Sequence, residues 1–168
     1  MRIKNKSFLT VILTLILGAA YLLQAEVEPS KNQLIEAQVI RVVDGDTFVA
    51  NVEGREEKIR LVLIDTPETV HPQKPVQPFG PEASAFTKKK LENKKVQLEL
   101  DVQERDRYGR VLAYVYLSDG SMLNQELLKQ GLAKVSVFQP NVKYVDRFRE
   151  IEKEARLAEK GVWGETER

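Results

Sequence analysis

Four acidic side chains stand in two short segments: Asp44 and Asp46 flank Gly45, while Asp65 and Glu68 flank Thr66-Pro67. If the two segments meet in the fold, oxygen donors converge with no histidine or cysteine among them, and such a set selects a hard cation. Calcium suits it best because it accepts irregular cages of carboxylates, carbonyls and waters, with magnesium the second choice. Two arginines accompany the acids. Arg60 precedes Asp65 in an apolar run, where a cation is costly unless it is paired or faces a cleft. Arg110 follows Asp106-Arg107-Tyr108-Gly109, and a guanidinium at such a loop edge can fork onto phosphate oxygens. Each feature alone has an ordinary reading: a hairpin turn at Asp44-Gly45, a locally bonded loop at Asp65 to Glu68, a structural ion pair at Arg60, a solvated turn charge at Arg110. Their joint presence favours a site.

The elements that must position these residues can be read from periodicity. Residues 34–43, 47–52 and 58–64 are β-rich runs separated by turn signals at Asp44-Gly45 and Gly54, the pattern of an antiparallel meander. Residues 69–79 hold Pro72, Pro75 and Pro78 without periodicity, a loop, after which Gly80-Pro81-Glu82 opens a helix with Ala83, Phe86 and Leu91 facing inward and Lys88, Lys89 and Lys90 solvated. Residues 96–100 and 111–117 read as two further strands joined by a polar link from Glu104 to Gly109. Leu123, Leu127 and Leu128 stripe a short helix ended by Gly131, and Tyr144, Phe148, Ile151, Ala155 and Ala158 recur at helical spacing up to Gly161, with Trp163 docking that end. The order argues for an α+β fold whose small antiparallel sheet curls into a five-stranded barrel, which removes the sheet edges.

Composition narrows the class. Arg2, Lys4 and Lys6 precede an uncharged, mostly apolar run of 16 residues from Phe8 to Leu23, the arrangement of an export signal. Residues 1–25 are therefore expected to be a signal peptide or N-terminal membrane anchor, 26–33 a linker, and 34–168 one domain; any membrane contact is through the N-terminal segment if it is left uncleaved. With no cysteine, neither a disulfide framework nor a thiolate metal site can form. Without Arg2, Lys4 and Lys6, the 26 basic side chains fall to 23 against 25 acidic ones, a formal charge of about −2, which is not the signature of a protein that coats nucleic acid. Contact with phosphate must come from a few placed cations.

Asp44-Gly45-Asp46-Thr47, the run from Arg60 to Glu68, Gly80-Pro81-Glu82-Ala83-Ser84-Ala85-Phe86, Asp106-Arg107-Tyr108-Gly109-Arg110 and Gly131-Leu132-Ala133-Lys134-Val135 together resemble the staphylococcal (thermonuclease-type) nuclease family. The resemblance runs in order from about Ile35 to Trp163. It implies a five-stranded OB-fold β-barrel with three α-helices and calcium-dependent hydrolysis of DNA and RNA to short fragments and 3′-phosphomononucleotides; with the export segment, the expectation is a secreted or extracytoplasmic monomer, membrane-anchored if uncleaved, that prefers single-stranded or denatured substrates. Carried over by position, Asp46, Asp65 and the Thr66 carbonyl would ligate calcium, with Asp44 in the surrounding shell. Glu68 would serve as general base or water-orienting group, and Arg60 and Arg110 would grip the reacting phosphate. Arg107 and Tyr108 would hold a terminal phosphate, with arginine where the best-known member has lysine. That member also carries two tyrosines near the nucleotide base, whereas this chain reads Ser136-Val137-Phe138-Gln139-Pro140, leaving Phe138 as the one candidate to stack. His71 is given no role. A binding module that has lost catalysis is the alternative, although such domains usually lack these acids and arginines.

Overall fold

The structure, a computed structural model, describes residues 34–69 and 75–164. The chain divides into Met1–Lys31 and Asn32–Arg168, and everything described belongs to the second unit. The expected export segment and linker lie outside the described residues. Among the described residues no helix is long and apolar enough to cross a membrane.

Five strands close into a barrel in the order β1 (Ile35–Val42), β2 (Thr47–Val52), β3 (Arg55–Leu61), β6 (Val111–Tyr116), β5 (Lys95–Arg105). All neighbours are antiparallel except β3 and β6, which run parallel with Ile59 opposite Val111 and Leu61 opposite Ala113. With three helices, this is the OB-fold α+β architecture. The barrel is mixed rather than wholly antiparallel, because closure brings β6 beside β3 after β5 and a helix have intervened. Phe48, Ile59, Leu61, Leu98, Ala113 and Val115 fill it, each no more than 1% exposed. Burying such a side chain stabilises by about 1.5–3 kcal/mol, so truncating one to alanine is costly.

Two expectations need correction. The third strand was expected to run from Lys58 to Ile64, but β3 ends at Leu61. Leu63 takes a left-handed φ of 63°, and Ile64–Asp65 forms a separate strand, β4, paired with β7 (Lys134–Val135). The whole run Val62–Ile64 is apolar because it turns inside the protein, and a buried turn looks like a buried strand to any hydrophobicity pattern. Likewise β5 extends to Arg105, past the residues expected, with a register shift against β6 between Leu100 and Arg105.

Helix α1 (Gly80–Leu91) has Pro81 in its first turn, Glu82 near its N-terminus and Lys88, Lys89 and Lys90 in its last turn, all favourable to the helix dipole. Ala83, Thr87 and Leu91 are buried, and Phe86, half-buried, packs against the same core with Lys90 5.5 Å from its ring centroid. Helix α2 (Leu123–Lys129) buries Leu123, Leu127 and Leu128, and α3 (Val145–Leu157) buries Phe148, Ile151 and Ala155. The ends of these two helices meet backbone to backbone. A Cβ at Gly131 would lie 2.1 Å from the Lys160 carbonyl oxygen, one at Gly161 would lie 2.2 Å from the Gly131 oxygen, and only glycines allow the approach. The start of α3 is fastened to the barrel by a buried carboxylate. Glu99 of β5 accepts from Tyr116 Oη (2.7 Å), Tyr144 Oη (2.9 Å) and Lys143.

Candidate active site

The turn between β1 and β2 carries Asp44, Gly45 and Asp46, and it is pinned against the loop after β4. A Cβ at Gly45 would stand 2.7 Å from Thr66 Oγ1 and 2.9 Å from Ala83 Cβ, so the glycine is required by close packing rather than by a left-handed turn. Thr87 of α1 closes the junction by donating to the Gly45 carbonyl at 2.6 Å. Across it, Asp46 Oδ2 accepts from the Thr66 N–H (2.9 Å) and Thr66 Oγ1 (3.1 Å), while its Oδ1 accepts from Thr47 Oγ1 (3.0 Å). Asp44 Oδ1 accepts from the Asp46 N–H at 3.1 Å. Burial, then repulsion by the Asp46 carboxylate, pushes the Asp44 pKa up to about 6, against the pull of that N–H and of Arg60. The two acidic segments therefore meet.

Arg60 ties them together. Its Nη1 donates to the carbonyls of Leu61 (2.7 Å) and Ile64 (2.9 Å), which spans the turn between β3 and β4 and fixes the guanidinium plane. Its Nη2 lies 3.1 Å from Asp46 Oδ2 and 2.8 Å from Asp65 Oδ1. A single nitrogen thus faces both carboxylates, one buried and one with its side chain 65% exposed. The arginine is paired, as its placement on an apolar strand requires.

Four converging carboxylates were expected if the loops met; the loops meet, and of the four Asp46 and Asp65 share one guanidinium nitrogen. Among the described residues no group of three or more acids or histidines is arranged to hold a metal. What converges is a smaller oxygen set, Asp46, Asp65 and the adjoining Thr66 backbone, of a kind that a hard cation completes with water. Glu68 follows it in the same loop, and its Oε1 accepts from the Thr69 N–H at 3.0 Å. Gln77 braces Glu68 from across the loop. The Gln77 side-chain oxygen accepts from the Glu68 N–H (2.9 Å), and the Gln77 N–H donates to the Glu68 carbonyl (2.9 Å).

The turn between β5 and β6 forms a second cluster. Asp106 accepts from the N–H groups of Tyr108 (2.9 Å) and Arg110 (3.0 Å) and from Arg110 Nε (2.7 Å). Burial would raise the Asp106 pKa, but these bonds together hold it below its ordinary value. Tyr108 is 67% exposed, with the guanidinium of Arg107 4.8 Å and that of Arg110 5.5 Å from its ring centroid. Phe138 projects from the loop after β7, 75% exposed. Asp65, Thr66, Pro67, Gln77, Lys134 and Val162 are among the walls of a cleft of about 440 Å³.

Thr87, Gln77 and Asp106 are positioning residues that sequence reasoning missed. Asp106 with Gly109 three residues on is a turn signature that could have been found. Thr87, a polar residue on the inward stripe of α1, was a weaker signal, and Gln77 in an aperiodic loop gave none.

Residues 58–165 match the family described as staphylococcal nuclease homologue. The thermonuclease of Staphylococcus hyicus is 50% identical over 126 residues, covering 75% of this chain and 74% of that protein. The thermonuclease of Staphylococcus intermedius is 48% identical over 125 residues, covering 74% of each. Endonuclease YncB of Bacillus subtilis is 44% identical over 141 residues, covering 82% of this chain and 66% of its own length. A barrel that holds paired acids and an arginine at the end of its first three strands, with this degree of identity, places the chain in the staphylococcal nuclease family, as a nuclease that hydrolyses phosphodiester bonds.

Proposed function

We propose that the chain hydrolyses both DNA and RNA in a calcium-dependent reaction, releasing short fragments and 3′-phosphomononucleotides, and that single-stranded or denatured chains are its preferred substrates. The observation that carries the reading is the Arg60 Nη2 atom, within 3.1 Å of Asp46 and 2.8 Å of Asp65, because it joins a cation-binding oxygen set to a guanidinium able to meet a phosphate. Calcium held by Asp46, Asp65 and the Thr66 carbonyl would neutralise charge on the phosphate and make nearby water more acidic.

The chain's own residues divide the remaining work. Asp44 orients the Asp46 backbone through the bond to its N–H. Glu68, its main chain braced by Gln77, takes a proton from the attacking water; the new P–O bond forms as the bond to the 5′ oxygen breaks, and that oxygen takes up a proton on leaving. Arg60 and Arg110 gather the phosphate oxygens as charge builds on them. Such preorganised donors are worth roughly 3–4 kcal/mol each in the barrier. Arg110 arrives oriented by Asp106, which holds its Nε at 2.7 Å. Arg107 and Tyr108 receive a terminal phosphate, and Phe138 offers an exposed face to a base, a contact worth roughly 1–3 kcal/mol. The basic and apolar N-terminal sequence supports export, as a secreted or membrane-tethered monomer.

Glu68→Gln tests the assignment of the base. It keeps the side-chain volume and is expected to lower kcat by roughly 10²–10⁴-fold with little change in KM. Full activity in that variant would remove Glu68 from the mechanism.

A further inference from the structure

The nucleotide-holding residues proposed above stand on the β5–β6 turn, Arg107 and Tyr108, and on the loop after β7, Phe138. A polynucleotide is cleaved in its interior, so its chain must also leave the scissile phosphate in the other direction. A cleft of about 440 Å³ is available for it: Asp65, Thr66, Gln77 and Lys134 are among the residues that line it, and no part of the β5–β6 turn borders it. Its volume is within the roughly 300–1,000 Å³ range of pockets that take small ligands, enough for a nucleotide.

A line of cations continues from this cleft. Lys134 Nζ lies 5.0 Å from the centroid of Trp163, and the Arg156 guanidinium lies 4.1 Å from the same ring, so the indole holds two positive groups side by side at the mouth. One 3-10 turn (Gly161–Trp163) separates Trp163 from Lys160, whose Nζ reaches the Lys129 carbonyl at 3.3 Å. The close backbone contact of Gly131 with Lys160 fixes that juxtaposition. Lys129 and Lys90 then bracket Glu126 at 2.9 and 4.0 Å. The acids paired along this line are Glu126 and Glu152, the latter 4.0 Å from Arg156. Among the described residues Lys134 has no carboxylate within ion-pair distance.

We propose that this cleft and the lysine line beyond it, Lys134–Lys160–Lys129–Lys90, form a second substrate subsite that binds the sugar–phosphate backbone of a single strand on the side of the scissile phosphate away from Arg107 and Tyr108. The proposal rests on the nuclease reading of the acids. It accounts for how a domain with no overall basic charge engages a long polyanion: the cations form a track that begins at the reacting phosphate. A single strand can enter the cleft and follow the cations outward from Lys134, whereas an anionic membrane surface could touch only the outer lysines.

The test uses the purified full chain and a triple variant, Lys129→Gln/Lys134→Gln/Lys160→Gln, with the corresponding triple arginine variant as control. Two substrates are compared: a 20-nucleotide single strand, and a nucleoside 3′-phosphate 5′-aryl phosphodiester that has no chain on the cleft side. Each phosphate contact contributes about 0.7 to the slope of log affinity against log salt for single strands, so losing three should flatten the slope by about 2. The glutamine variant is expected to raise KM for the 20-mer about tenfold and flatten its salt dependence, leaving the short diester within twofold of the parent; the arginine variant should restore binding. Equal effects on both substrates, or no effect on the 20-mer, would overturn the proposal, as would a loss confined to binding of anionic vesicles. Anisotropy of a labelled 20-mer is read alongside because it needs no turnover. If the parent binds but cleaves neither substrate, the nuclease reading fails while weaker binding by the triple variant still upholds the track.

Discussion

Gly45→Ala is the sharpest probe of how the fold builds its site. The added methyl would sit 2.7 Å from Thr66 Oγ1 and 2.9 Å from both Thr66 Cβ and Ala83 Cβ. None of these is the far end of a flexible side chain, so the turn and the loop must separate. Ordinary contact begins near 3.5 Å, so relief needs about 0.8 Å of movement. If that movement falls along the bonds it disturbs, the Thr66 Oγ1 to Asp46 distance of 3.1 Å and the Thr66 N to Asp46 distance of 2.9 Å both lengthen beyond hydrogen-bonding range. Overpacking costs about 1–3 kcal/mol and each of the two lost bonds to a charged group about 1.5–3, so a destabilisation of at least about 4 kcal/mol and a fall in Tm of roughly 12 °C or more are expected. Displacement of Asp46 by a comparable distance should lower kcat/KM about a hundredfold. Thermal unfolding and steady-state rates with a short diester measure the two effects. A variant within about 0.5 kcal/mol and threefold of the parent would refute the claim that this contact sets the position of Asp46.

Other predictions concern the surrounding supports. Asp106→Asn removes the charge that holds Arg110 Nε at 2.7 Å, and kcat should fall roughly tenfold with a loss of stability of about 1 kcal/mol at neutral pH. Gln77→Ala leaves the Glu68 N–H without its side-chain acceptor, and should lower kcat more than it raises KM in steady-state assays. Burial would raise the pKa of Glu99, but hydrogen bonds from Lys143, Tyr116 and Tyr144 hold it below its ordinary 4.5. A carboxylate depressed in the folded state adds stability that is complete above its unfolded pKa and lost as pH falls through the folded one. Denaturant titrations should therefore show Glu99→Gln costing about 2 kcal/mol at neutral pH and a narrowing difference from the parent below pH 4.5.

The elements that were legible in the sequence are those with a local signature. The β1–β2 and β2–β3 turns, Pro81 at the start of α1 and the Gly131 stop after α2 each announce themselves within a few residues. The acids stood out because two pairs at strand ends have no structural need of one another. What escaped depends on distant partners. Val62 to Ile64 turn and re-pair with β7, a partner some seventy residues away in sequence. Glu99 breaks the period of two in β5 because it is buried for the sake of Tyr116, Lys143 and Tyr144, which no window around it contains. Gly45 was legible as a turn glycine, but its reason, contact with Thr66 and Ala83, emerges only when the β1–β2 turn, the post-β4 loop and α1 meet. The Arg60 bridge likewise appears only when the loops meet, because it joins Asp46 and Asp65 across them.

The measurement that bears most directly on the proposed function is release of acid-soluble nucleotides by the purified protein from denatured DNA and from RNA, in calcium and again with the calcium chelated. Digestion of both substrates that stops on chelation and returns when calcium is restored is the expected result. Undiminished digestion in chelator, or no digestion of either substrate at any calcium concentration by a folded sample, would contradict it.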